Sequence, residues 1–101
     1  MAKLTTVFWR DIPAQVIAKE RRENAKIVLT ERFAEAIDKA AMRAKMAGTD
    51  AYLEQWRQDT VSCGQNLQAT VDAAAAKLEQ AYDDDRLAVM VRNGGIEALA
   101  E

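Results

Sequence analysis

Residues 25–48, AKIVLTERFAEAIDKAAMRAKMAG, pass from a short apolar, β-branched segment directly into a long amphipathic helix, and the rest of the chain has to be arranged around that transition. Lys26 to Leu29 has the composition of a strand. Thr30 stands where a helix N-cap belongs, with a hydroxyl able to accept an otherwise unpaired backbone N–H. The helix is predicted to begin at Glu31. Phe33, Ile37, Ala40, Ala44 and Ala47 recur at helical spacing, and Ala36 and Ala41 widen the stripe they form. A stripe made mostly of alanine lets another backbone approach closely, as a helix lying on a sheet requires. Gly48 is expected to end the helix in a left-handed conformation. Met42 and Met46 lie about half a turn from Ile37 at roughly 100° per residue, which predicts a second apolar spot.

The segment before this helix reads as strands. Leu4 to Arg10, LTTVFWR, alternates Leu4, Thr6 and Phe8 on one face with Thr5, Val7 and Trp9 on the other. Asp11, Ile12 and Pro13 form a connection, because proline fixes its own φ and drives Ile12 to an extended conformation. Ala14 to Lys19 is a second strand, Glu20 to Asn24 a turn, and Ala25 to Leu29 the third strand of an antiparallel meander. Beyond Gly48, Thr49 or Asp50 caps a short helix carrying Tyr52, Leu53 and Trp56, and Gln58 to Gly64 is a polar break. A third helix follows over 65–82, with Leu67, Val71, Ala74, Ala75, Leu78 and Tyr82 as its seam. A short fourth carries Leu87, Met90 and Val91 up to the stop at Asn93-Gly94-Gly95. The expected fold is α+β: a three-stranded antiparallel meander followed by three to four helices packed on one face. It forms one domain over 1–93, with 94–101 as a short flexible tail.

Composition narrows the function. Half the residues are apolar and 30% are charged, a globular balance. The net charge is −2, but residues 1–47 carry ten Lys/Arg against six Asp/Glu (+4) and residues 48–101 four against ten (−6). An acidic chain without a concentrated basic face argues against nucleic acid. There is no histidine, which removes His-based acid–base chemistry, a His-activated nucleophile and the usual transition-metal sites. A single cysteine, Cys63, allows no internal disulfide and suits a reducing cytoplasm. The apolar run Val7 to Trp9 is too short for a signal peptide or a membrane span.

The remaining polar features have plain structural readings. Asp83-Asp84-Asp85 lacks the alternating ligands and glycine of a calcium loop and reads as a helix cap. Cys63 has no neighbouring cation in sequence to stabilise a thiolate. Asn93-Gly94-Gly95 has no preceding strand to make it a phosphate cradle. Lys19 to Glu23 has mixed sign and reads as a solvated turn. Glu31, Glu35 and Asp38 share a polar side with Lys39 and Arg43 and read as surface ion pairs. Trp9, Tyr52 and Trp56 either fill a small core or form a contact surface.

At FWRDIPAQV (Phe8 to Val16), RFAEAIDKAAMRA (Arg32 to Ala44) and DAYLEQWR (Asp50 to Arg57) the chain resembles the small bacterial domain family named virulence factor. The three blocks occur in the same order, and the match runs from about Val7 to Arg57 and more loosely through the later helices. The family occurs as a lone short protein and fused to helical-repeat modules in proteins called conserved virulence factor C. The resemblance therefore implies an interaction or accessory role, and it brings no catalytic residue. It also implies an alternative, an accessory subunit of a folate- or corrinoid-dependent one-carbon (methyl-transfer) enzyme system, lending Arg10 or Asp11.

The expected activity is that of a non-enzymatic cytoplasmic module that binds a protein partner, with no cofactor and no metal. Helices on one side of a sheet leave its other face and its edge strands open. On that open face Val7 and Trp9 are expected to project opposite to Phe8, with Arg10 and Asp11 as a charged rim, although period two alone leaves open which face carries Trp9. The Met42 and Met46 spot is the second candidate. An open edge strand also allows weak homo-oligomerisation.

Overall fold

A computed structural model of the chain describes residues 2–46, 48, 50–64 and 66–96. In chain order the elements are β1 (Lys3–Trp9), β2 (Ile12–Glu20), β3 (Glu23–Val28), α1 (Glu31–Arg43), α2 (Asp50–Glu54), β4 (Trp56–Ser62), α3 (Leu67–Ala81) and α4 (Asp84–Arg92). The expected meander is present, but the sheet has four strands in the order β3-β2-β1-β4, every pair antiparallel. The fourth corrects the reading of Trp56 as helical and of 58–64 as a break. β4 is exposed at six of its seven positions, so it carries no apolar alternation, and its pairing with β1 rests on the backbone.

Both hairpins turn in two residues, Arg10-Asp11 and Arg21-Arg22, since Trp9 lies opposite Ile12 and Glu20 opposite Glu23. Arg10 (φ 53°) and Arg21 (φ 54°) take the left-handed conformation such turns demand. β2 begins two residues earlier than expected and contains Pro13. Val7 faces Gln15 while Phe8 faces Pro13, so Ala14 is an extra residue, and this bulge is where a strand tolerates proline.

Residues directly opposite across an antiparallel pair share a face. Leu4, Ala18 and Ala25, with Thr6, Val16 and Ile27, make the face on which α3 lies through Leu67, Val71, Ala75 and Leu78. Thr5, Ile17 and Lys26, with Val7, Gln15 and Val28, make the other, and Gln58 and Thr60 extend it onto β4. The helices therefore do not form one layer. α1 packs chiefly on α4, at the end of the sheet where β1 turns into β2: there the Asp11 N–H donates to the Gly95 carbonyl (2.9 Å).

The helical stripe reads as expected at Phe33, Ala36, Ile37, Ala40 and Ala41, all buried. Two details of α1 differ. Thr30 has N-cap geometry (φ −61°, ψ 162°), but its hydroxyl makes no cap bond and instead donates to Glu79 Oε1 (2.9 Å). The helix stops at Arg43 rather than Gly48. Lys45 is left-handed (φ 60°), its N–H bonds the Met42 carbonyl and the Met46 N–H bonds the Ala41 carbonyl, the paired bonds of a Schellman cap. α4 closes the same way on Gly94 and Gly95, as its stop signal predicts. These two glycines, expected in the tail, are buried; residues 97–101 of that tail, together with Ala47 and Thr49, lie outside the described residues.

Candidate functional site

The six residues singled out as a partner surface fall in different places. Val7 lies opposite Gln15 and Gln58 on the face α3 leaves open, but it is buried there, at 9% exposure. Trp9 does not reach the surface. It is 0% exposed, stacked on Tyr52 (centroids 5.5 Å apart) and hydrogen-bonded through Nε1 to the Tyr52 carbonyl (2.9 Å). The physical reason is that α2 and the Gly94-Gly95 turn close over the end of β1, which strand alternation alone leaves undecided.

Arg10 ties the end of β1 to the residue after α2, to the Gly94-Gly95 turn and to the segment after α1. Nε donates to Gln55 Oε1 (3.1 Å), Nη1 to the Gly94 carbonyl (3.1 Å) and Nη2 to the Met46 sulfur (3.3 Å). These bonds hold the left-handed Arg10 backbone in place. Asp11 pairs with Arg57 (3.6 Å), whose guanidinium lies over the Phe8 ring (4.3 Å) and donates to the Arg10 carbonyl (2.9 Å). Met42 and Met46 do not form one spot. Met42 is 61% exposed, whereas Met46 packs against the core, because the helix ends before Met46 and the extrapolated 100° step no longer applies.

What does form a surface is a chain of adjoining hollows. One, of about 230 Å³, is lined by Gln15, Val28, Ile37, Asp38, Tyr52 and Trp56 among others. A second, of about 570 Å³, shares Gln15 and Trp56 with it and reaches Val7, Arg57 and Gln58 on the open face. A third, of about 320 Å³, shares Asp38 and Tyr52 and reaches Met42 and Gly48. Val7 and Met42 thus lie toward opposite ends of one depression whose middle is aromatic. Tyr52 and Trp56 meet there edge to face (6.1 Å). Burial pushes the Tyr52 hydroxyl above its usual value and the Asp38 carboxylate pushes it the same way, so it stays protonated and uncharged.

Gln15, Val28, Asp38 and Gln58 were not legible as site residues. Val28 carried a signal, since Lys26 to Leu29 is apolar on both faces and one face had to stay uncovered. Gln58 carries none, because its strand is exposed along nearly its whole length and shows no apolar alternation.

The polar clusters elsewhere tie helices together. Arg32 on α1 pairs with Glu79 (3.0 Å) and donates to the Tyr82 carbonyl at the end of α3. Asp83 caps α4 by accepting the Arg86 N–H (2.8 Å), as read from sequence, and Arg43 turns to the Arg92 carbonyl (3.3 Å). Burial raises the Glu79 carboxyl, but the Thr30 N–H and hydroxyl and the Arg32 guanidinium outweigh it and hold the pKa below the ordinary 4.5. A depressed carboxyl contributes stability that is present above its unfolded pKa and is lost as pH falls through the folded one. Glu79→Gln is therefore expected to lower the melting temperature at pH 7, with the difference from wild type closing as the pH drops below about 4. Equal differences at both pH values in calorimetry would refute this role.

Among the described residues no group of three or more His, Cys, Asp or Glu side chains is placed to hold a metal ion, and no helix is long and apolar enough to cross a membrane. A small α+β domain with a four-stranded antiparallel sheet, one face under a helix and the other bearing a partly aromatic depression, is the class of protein this is. Its family follows from comparison: the profile described as Virulence factor matches residues 7–91, and the chain belongs to that family. No curated protein and no solved structure matches it.

Proposed function

We propose that this chain is a non-enzymatic interaction module that holds a protein partner along the open face of its sheet. The observation that carries the reading is the depression running from Val7 past Trp56 and Tyr52 to Met42, where Val28 stands 64% exposed at the rim near polar Gln15 and Asp38, and Gln58 lies at the Val7 end. An aromatic centre with a polar rim is how protein contact sites are built. The lack of any histidine supports a binding role over catalysis, and the single cysteine suits a cytoplasmic setting.

The test is capture from a lysate of the natural host with a tagged chain, read by mass spectrometry. Val28→Glu places a charge in the depression at an already exposed position, so it should remove the specific partner and leave the melting temperature within a degree or two of wild type. If the variant captures the same proteins in the same amounts, the open face is not the contact site. A folate- or corrinoid-dependent enzyme among the lost proteins would give the module its accessory role in one-carbon transfer.

A further inference from the structure

β4 is the outermost strand, and its outer side faces no other strand among the described residues. The register with β1 shows which of its backbone groups point outward. The Arg10 N–H bonds the Gln55 carbonyl (3.1 Å) and the Cys63 N–H bonds the Ala2 carbonyl (3.1 Å), and both pairs continue the β1–β4 register by one residue at either end. Hydrogen-bonded and non-bonded positions alternate along an antiparallel ladder. Arg57, Asp59 and Val61 therefore turn their N–H and C=O toward β1, while Trp56, Gln58, Thr60 and Ser62 turn theirs to the free edge.

A second copy that adds to this edge antiparallel must bring outward-turned residues opposite outward-turned residues, so the two-fold axis passes through a residue of β4. Four positions matter. An axis on Arg57 sets Arg57 against itself, and one on Asp59 sets Asp59 against itself. An axis on Thr60 leaves Asp59 opposite Val61. An axis on Gln58 alone sets Arg57 of each copy opposite Asp59 of the other, twice, at the non-bonded positions where side chains come closest. β3, the other edge, has no such solution: its charged residues are Glu23 and Lys26, which turn to opposite sides and never stand opposite each other.

We propose that the chain forms a two-fold dimer through β4 paired about Gln58, giving a continuous eight-stranded sheet. Arg57, already paired with Asp59 of its own strand (3.0 Å) and with Asp11 (3.6 Å), then gains the Asp59 carboxylate of the second copy. Thr60 of the second copy stands opposite Trp56, so the hollows that Trp56 lines run on toward the two-fold axis. Proteins commonly guard such edges with a bulge, a proline or a run of lysines. β4, WRQDTVS, has no proline and no lysine, and its charges are self-complementary.

The test is sedimentation equilibrium of the full chain at concentrations up to about 1 mM. Wild type should show a monomer–dimer equilibrium that weakens with salt. Asp59→Arg, at a residue 61% exposed in its side chain, sets arginine against arginine and should weaken dimerisation roughly tenfold or more with unchanged circular dichroism. Arg57→Asp should do the same. Mixing the two variants restores both opposite-charge pairs in a heterodimer, which no other register does. A wild-type chain that stays monomeric, an Asp59→Arg variant that dimerises like wild type, or a mixture that forms no heterodimer from two folded variants would each overturn the proposal. Should Arg57→Asp fail to fold, because Arg57 also bonds the Arg10 carbonyl, Asp59→Arg alone decides it.

Discussion

Trp9→Ala is expected to destabilise the fold by about 3–5 kcal/mol, the range for removing a fully buried large aromatic side chain. Trp9 is 0% exposed and belongs to the one cluster of buried residues that also holds Ile12, Phe33, Ala40 and Met90. Its removal opens a cavity beneath Tyr52, deprives Gly95 of the ring it packs on, and takes from the Tyr52 carbonyl the Nε1 donor at 2.9 Å. A domain of this size has only about 5–15 kcal/mol in total, so the variant should lose a large share of its stability. Trp9→Phe keeps most of the volume and loses the hydrogen bond, so it should cost about 1–2 kcal/mol. Urea denaturation followed by circular dichroism measures both. A Trp9→Ala loss no larger than that of Trp9→Phe would show that the ring is not the centre of the core.

Gly95→Ala should come close to it, at about 3 kcal/mol, from two additive sources. Gly95 has φ +95°, where a Cβ is strained whatever the surroundings. An added Cβ would also lie 2.6 Å from Cζ3 of Trp9, closer than real contacts come, and tightly at 3.0 Å from Cε3 and 3.4 Å from Arg10 Cδ. The ring cannot retreat, being stacked on Tyr52 and fixed by its own hydrogen bond. Gly48 separates the two sources. It too is left-handed (φ +77°), but nothing lies within 4 Å of its would-be Cβ, so Gly48→Ala should cost only the conformational part, about 1 kcal/mol. Thermal melts that placed the two variants together would show that the Trp9 contact adds no strain.

These two residues show why part of the protein was legible from its sequence and part was not. Local patterns determined the meander, the start of α1 at Glu31, its buried stripe, the cap at Asp83 and the stop at Gly94-Gly95. Each is set by neighbours a few residues apart, through helical period, capping chemistry or glycine's access to positive φ. The three blocks FWRDIPAQV, RFAEAIDKAAMRA and DAYLEQWR, in that order from Phe8 to Arg57, also sufficed to point to the family whose profile spans residues 7–91.

Only the tertiary structure decided what alternation along a single strand leaves open. β4 was invisible because an exposed edge strand needs no apolar face, only a partner ladder, and that partner is β1, some fifty residues earlier. Trp9 shares the parity of Val7, yet Val7, itself 9% exposed, still borders the depression while Trp9 is sealed completely. The difference comes from α2 and the Gly95 turn, segments distant in sequence that fold over one end of the sheet and not the other. Thr30 likewise has every local property of a capping residue, but Glu79, brought alongside by the packing of α3, takes its hydroxyl. Short-range chemistry fixes which elements form; which of their faces meet water depends on contacts between elements far apart in the chain, and those contacts placed the depression.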